Sequence, residues 1–305
     1  MVEPEVIDTK MHGRDGITGA FLLQGATTAI IETGPLSSFD ALMAGLRDRN
    51  VDGLDWIVVT HIHLDHAGSA GALCRVFPDT RVAVHPVGAP HLVDPSKLWA
   101  SAARIYGDEM ERLWGGVEPV PDDRLVVVKD GDRVELGDRT LTAYDTPGHA
   151  RHHHAYLDDA TGIAFVGDAL GVRLRDVGIV RPATPPPEFY LDEAVRSIER
   201  IRGIGARSLW LTHYGAADRG RDPLDVDDAC DAAIESLQTW AKLVREARAE
   251  SRDPEVVTKA VRDGIRELAE SRLAPKDIER MEQTTSYSMN VSGYMRYLDK
   301  AEPSA

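Results

Sequence analysis

Over roughly the first two thirds of the chain, short apolar runs alternate with stretches of helical spacing. Residues 17–23 and 28–32 are apolar and partly β-branched, with Gln24-Gly25 between them. That pattern predicts two strands joined by a turn. Residues 39–49 carry apolar positions at Leu42, Met43 and Leu46, the spacing of a helix with one buried face. Trp56-Ile57-Val58-Val59-Thr60 is continuously apolar up to its last residue, as in a strand covered on both faces. A helix over 68–77 and a strand over 81–85 follow, then a helical stretch over 95–114. Five further strands are expected at 125–128, 133–136, 140–144, 154–157 and 163–166. Asp130-Gly131-Asp132 and Gly137-Asp138 supply hairpin turns among them. A Pro-rich connection at 181–187 leads to a helix at about 191–204 and a strand at 208–211.

Near residue 220 the pattern changes. Residues 225–250 carry a stripe of Cys230, Ile234, Leu237, Ala241 and Val244, the signature of an amphipathic helix. Two more helices are predicted over 255–273 and 276–299, started by Asp253-Pro254 and Pro275. The expected organisation is a mixed domain over residues 1–220 and an all-helical extension over 221–305.

Composition narrows the function. Thirty-five Lys and Arg stand against 50 Asp and Glu, a net charge of −15 over 305 residues, which argues against binding a phosphate backbone. Two cysteines, Cys74 and Cys230, are too few for a disulfide framework or a thiolate metal site. No apolar run approaches the ~20 residues of a membrane span, and Met1-Val2-Glu3-Pro4-Glu5 shows no signal-peptide pattern. A cytoplasmic protein with no membrane partner is the expectation. The 11 histidines are unevenly placed, and their placement carries the chemistry.

Thr60-His61-Ile62-His63-Leu64-Asp65-His66 puts four potential ligands within six residues, directly after an apolar strand. Alternation sets His61 and His63 on one side, while Asp65 and His66 fall where the chain turns toward a helix. Imidazole with carboxylate suits zinc, and also iron or manganese. Three more candidates sit at strand ends: His149 after Thr146-Pro147-Gly148, Asp168 after Val166-Gly167, and His213 after Leu211-Thr212. Together they describe a metal site on the rim of a sheet.

In this order the residues resemble the metallo-β-lactamase superfamily, over about residues 6–215, with Ile30-Ile31-Glu32-Thr33-Gly34 similar to the family's strand ending in an acid followed by Thr-Gly. The resemblance implies an α+β protein, a four-layer αββα sandwich, here followed by the all-helical C-terminal extension. It also implies two divalent metal ions, zinc first. His61, His63 and His149 would hold one ion, Asp65, His66 and His213 the other, and Asp168 would bridge them. His153 matches a position occupied in relatives by a histidine that is not a ligand. His152 and His154 are expected on opposite sides of it, and His12 on the surface. Thr60, Asp145 and Thr212 are chemically suitable to support the ligand imidazoles.

Two metals ~3.5–4 Å apart sharing one water bring its pKa to near 7, giving a hydroxide able to attack a carbonyl or phosphorus. Asp65 is a ligand and also the candidate catalytic proton carrier. The expected activity is hydrolysis of a small ester, thioester or lactone. The alternatives are a phosphodiesterase or nuclease of the same superfamily, a mononuclear iron persulfide dioxygenase, and a non-enzymatic metal-binding sensor. The acidic balance disfavours the nuclease, and the complete ligand set counts against the last two. The expected partner is a small-molecule substrate, with no nucleic acid and a homodimer as one option.

The helical extension is similar in placement to the C-terminal region of glyoxalase II enzymes, with Tyr287, Asn290, Tyr294 and Arg296 available to line a cleft or to pack the tail. The spacing between His66 and His149 is longer than in that branch. The inserted segment, about 90–120, carries Trp99, Tyr106, Met110 and Trp114, which would form either a lid or a packed helix pair.

Overall fold

A computed structural model describes residues 3–301. The chain forms two compact units: residues up to Asp145 with His152–Gly167, and Thr146–Arg151 with residues from Asp168 onward.

In the first unit, β1 (Glu5–Asp8), β2 (Gly19–Gln24), β3 (Thr28–Ile31), β4 (Trp56–Val58), β5 (Arg81–Val84) and β6 (Leu125–Val127) form a six-stranded sheet in sequence order. β1 to β3 pair antiparallel, and β3 to β6 run parallel. The parallel register sets Ile31 beside Val58 and Val58 beside Ala83. The carboxyl ends of β3, β4 and β5 therefore share one edge, the edge at which α/β sheets build sites. Parallel strands need crossovers. These are made by α1 (Phe39–Arg47), the short α2 (Leu64–Ala67), α3 (Ala70–Val76) and α4 (Ala89–Val93). Leu42 and Leu46 of α1 and Leu73 of α3 are completely buried in one cluster with Ile30, Ile57 and Val82. Each such side chain contributes ~1.5–3 kcal/mol by leaving water.

The predicted helix over 95–114 is two helices, α5 (Ser96–Tyr106) and α6 (Met110–Trp114), broken at Gly107 with φ 52°. Met110 and Trp114 are buried with Leu64, Met11 and Ile17, and Trp99 and Tyr106 pack against that cluster. The inserted aromatics are thus packed, and they press on Leu64, the residue between His63 and Asp65. His12, expected on the surface, is half-buried, its ring centroid 6.1 Å from that of Trp114. The unit is completed by β7 (Arg133–Glu135), β8 (Thr140–Asp145), β9 (His154–Asp158) and β10 (Ile163–Gly167), antiparallel in that order.

The second unit holds α7 (Leu191–Gly203), the pair β11 (Ser208–Leu211) and β12 (Gly215–Ala216), and the helices α8 (Val226–Glu250), α9 (Pro254–Leu268), α10 (Pro275–Thr284) and α11 (Tyr287–Ala301). Asp225 and Asp253 cap α8 and α9, accepting from the Asp228 and Glu255 amides. Cys230, Leu237, Ala241 and Val244 of the expected stripe are buried, and Ile234 is half-buried. The single helix expected over 276–299 is interrupted at Thr285-Ser286. Tyr287 stacks on Trp240 with centroids 5.4 Å apart, and Tyr294 donates to the Leu237 carbonyl at 2.8 Å. Both tyrosines pack the tail. No helix among the described residues is long and apolar enough to cross a membrane.

Candidate metal centre

The ligand loop leaves the apolar β4 with Thr60, His61 and His66 buried and His63 and Asp65 half-buried. Its course is pinned from β3: the Thr33 amide donates to the His66 carbonyl at 2.7 Å, and the Thr33 hydroxyl to the same oxygen at 2.9 Å. The His61 Nε2 and His63 Nδ1 atoms lie 2.9 Å apart. Zn–N bonds of ~2.0–2.1 Å in a tetrahedron put ligand nitrogens about 3.3 Å from one another, so two ring nitrogens this close could serve one ion. On the other side of the loop, Asp65 Oδ2 is 3.8 Å from His66 Nε2.

The tautomers follow from the other ring nitrogens. Thr60 Oγ1 gives its one proton to the buried Glu32 carboxylate, so at 3.0 Å from His61 Nδ1 it must accept. His61 then carries its proton on Nδ1 and keeps the Nε2 lone pair for a metal. His66 Nδ1 lies 3.2 Å from Glu32 Oε1; a carboxylate only accepts, so His66 likewise offers Nε2. Such partners orient a ligand ring and raise its basicity. Glu32 is the residue that the reading of single positions left without a role. It is 0% exposed with φ 66°, and a buried acid ending an apolar strand was its signal.

In the second unit, His149, Asp168 and His213 are all buried. His149 Nε2 is 3.5 Å from Asp168 Oδ2, and His213 Nε2 is 3.6 Å from Asp168 Oδ1. These separations exceed ordinary hydrogen bonds and approach ligand–ligand spacings. One carboxylate thus presents one oxygen to each of two imidazoles. His149 Nδ1 donates to the Ala183 carbonyl at 2.8 Å, which again frees Nε2. In each unit the donors, imidazoles with an Nε2 lone pair beside a carboxylate, are of the types that suit divalent zinc, iron or manganese.

A third cluster has a different character. His154 Nε2 donates to Asp145 Oδ1 at 2.7 Å, and the Tyr156 hydroxyl lies 3.3 Å from His154 Nδ1. Burial first, then Glu32 and Asp145, push the Tyr156 phenol far above its ordinary pKa, so it stays a donor. His85 Nδ1 accepts from the Val87 amide at 3.0 Å, which turns its Nε2–H toward Asp145 Oδ1 at 3.5 Å. Burial, then the adjacent His154, lower the His85 pKa, and Asp145 opposes them. As they stand, both Nε2–H groups face Asp145, so the trio forms a polar network, and its ligand atoms, all within 4.8 Å of one another, could also take a metal ion. Asp145, expected as support for a ligand imidazole, bonds His154 and faces His85. His152 stacks on His61 at 6.0 Å, and His153 lies 4.9 Å from the same ring.

Two half-sets of His and Asp donors on an α+β scaffold describe a metal-binding protein with the ligand order of a known family. Residues 13–213 match the profile of the Metallo-beta-lactamase superfamily, and the chain belongs to that family. The fold is the α+β fold of that superfamily with a helical C-terminal region. Among curated proteins, the chain is 35% identical over 156 residues to "Metallo-beta-lactamase fold-containing protein ST1585" of Sulfurisphaera tokodaii, covering 49% of this chain and 58% of that one. It is 26% identical over 202 residues to "Atrochrysone carboxyl ACP thioesterase" of Aspergillus fumigatus, covering 63% and 51%. It is 26% identical over 228 residues to a hydroxyacylglutathione hydrolase of Pseudomonas paraeruginosa, covering 73% and 72%. The matches to the first two span little more than half of those proteins. The crystal structure of the archaeal ST1585 protein shares the fold at a TM-score of 0.69 and 22% identity, with 97% of this chain and 99% of that one covered.

Proposed function

We propose that the protein is a dinuclear metal-dependent hydrolase of a small ester, thioester or lactone. The observation that carries this reading is the Asp168 carboxylate, with one oxygen 3.5 Å from His149 Nε2 and the other 3.6 Å from His213 Nε2. That is what a bridge between two ions requires. His61, His63 and His149 would hold one ion, and Asp65, His66 and His213 the other. When bound, the ions supply Lewis acidity and lower the pKa of an attacking water to near ~7.

The chain's own residues do the rest. Glu32 and Thr60 fix the tautomers of His66 and His61. The half-buried Asp65 carboxylate would take a proton from the attacking water and return it to the leaving group. Burial of His61, His66, His149 and His213 keeps bulk water from the donor nitrogens. A thioesterase and hydroxyacylglutathione hydrolases among the relatives favour acyl substrates, and the charge of −15 disfavours polyanions.

The test is a panel of thioesters, lactones, β-lactams and phosphodiesters on metal-replete enzyme. Turnover of an acyl substrate is expected, lost in Asp168→Ala and His63→Ala. Activity confined to bis-phosphoesters contradicts the proposal.

A further inference from the structure

The proposed metal chemistry leaves the C-terminal helices without a task, yet they grip one short segment of the second unit closely. His149 Nδ1 donates to a backbone acceptor, the Ala183 carbonyl, at 2.8 Å. Both neighbours of Ala183 are held by the region around α11. On one side, Thr285 Oγ1 donates to the Pro182 carbonyl at 3.3 Å. On the other, the Thr184 amide donates to Asn290 Oδ1 at 2.9 Å, and Thr184 Oγ1 lies 3.1 Å from the Asn290 carbonyl. The Asn290 amide is itself oriented, because its Nδ2 donates to Thr285 Oγ1 at 3.0 Å. Thr184, Thr285 and Asn290 are all buried, Asn290 completely. α11 approaches so closely that a Cβ on Gly293 would lie 1.8 Å from the Thr184 carbonyl oxygen. Upstream, buried Arg181 donates to the Thr285 carbonyl at 3.0 Å and to Glu270 at 2.6 Å.

We infer that Asn290 is a positioning residue for the metal ligand His149: by fixing Thr184, it aims the Ala183 carbonyl at Nδ1 and so holds the ring in the tautomer that presents Nε2. The helical extension is then part of the metal site's support, two hydrogen bonds removed from the donor atom. Without the clamp, the 182–184 segment loses its side-chain anchors and the His149 Nδ1–H loses a fixed acceptor. The ring can then rotate, or move its proton to Nε2 and cease to be a ligand. Neither Asn290 nor Thr184 need touch substrate.

This inference rests on the proposal that His149 binds metal, so the test has two readouts. The first uses full-length protein stripped of metal and titrated with zinc against a chromophoric chelator. Asn290→Ala is expected to weaken zinc binding about tenfold, the lower range for outer partners of a metal ligand. Tyr294→Phe removes another buried hydrogen bond of the same helix, the 2.8 Å bond to the Leu237 carbonyl. It is expected to lower the unfolding temperature and leave zinc affinity unchanged. Should Asn290→Ala fail to fold, Thr184→Val replaces it, and Thr184→Ser, which keeps the hydroxyl, restores binding.

The second readout is the His149 Nδ1–H proton resonance of the metal-free protein. It is expected to be protected from solvent exchange in the wild type and in Tyr294→Phe, and to be lost in Asn290→Ala. Native zinc affinity together with a protected resonance in Asn290→Ala overturns the inference. So does a loss of affinity in Tyr294→Phe matching its loss of stability. A wild type that binds no zinc but shows the protected resonance, lost in Asn290→Ala, sinks the metal proposal and leaves the clamp standing.

Discussion

Glu32→Gln is the substitution that most sharply probes how the first unit prepares its imidazoles. Glu32 is 0% exposed. One of its oxygens accepts from the Thr60 hydroxyl and from His66 Nδ1 at 3.2 Å, and the other faces the Thr60 amide at 3.4 Å. Glutamine keeps the volume but removes the charge and turns one acceptor into a donor. Its oxygen can keep the hydroxyl and His66, but its NH2 then meets the Thr60 N–H, donor against donor. In the opposite orientation His66 and Thr60 Oγ1 lose their acceptor. Either way the charge-assisted bond to His66, roughly twice as strong as a neutral one, is gone. Loss of such a partner lowers metal affinity about 10- to 100-fold, or ~1.4–2.7 kcal/mol. The assay is competition for zinc between the protein and a chelator of known affinity, with urea unfolding of the metal-free protein alongside. Glu118→Gln is the control, because it loses only the exposed pair with Arg75 and should bind as the wild type does. Native zinc affinity in Glu32→Gln would refute the role given to Glu32 and, with it, the tautomers assigned to His61 and His66.

Three further outcomes are expected. Gly148→Ala places a Cβ 2.2 Å from the Ala194 amide at φ +126°, so the turn carrying His149 must shift; elemental analysis should find less metal per chain, and unchanged content would contradict this. Arg181→Met leaves Glu270, only 2% exposed, without its cation; urea unfolding should show a loss of ~3–5 kcal/mol, partly recovered in Arg181→Met/Glu270→Gln. Because burial lowers the His85 pKa below 6.5, the unfolded chain takes up a proton that folded His85 resists. The stability this residue contributes is therefore complete above ~6.5 and is lost as pH falls from there toward the lower folded value. Unfolding temperatures of metal-free protein between pH 7.5 and 5.5 should decline less steeply in His85→Gln, and parallel profiles would count against the assignment.

The strands and the cluster of candidate donors were legible because both are local signals. The run 56–60 reads as a buried strand from five consecutive residues, and His61, His63, Asp65 and His66 announce themselves within six. What supports them is not local. Glu32 reaches His66 only because β3 and β4 run parallel with Ile31 beside Val58, a register that pattern does not encode. The acceptor of His149 is a backbone carbonyl at residue 183, which has no side-chain signature at all. Adjacency nominated Asp145 as a ligand's partner, but only the β8–β9 pairing reveals His154 opposite it. The strand 5–8 went unread because it is a four-residue edge strand with only two apolar positions. The break at Thr285-Ser286 hid inside a continuous helical spacing, and it places Thr285 and Asn290 against 182–184.

The most direct test of the account is the number of metal ions bound per chain, measured by inductively coupled plasma mass spectrometry on protein of known concentration after zinc loading and desalting. The account predicts two ions for the wild type and a clear loss in Asp168→Ala, whose carboxylate oxygens face His149 and His213 separately. A single ion per wild-type chain, or the same content in Asp168→Ala, would contradict it.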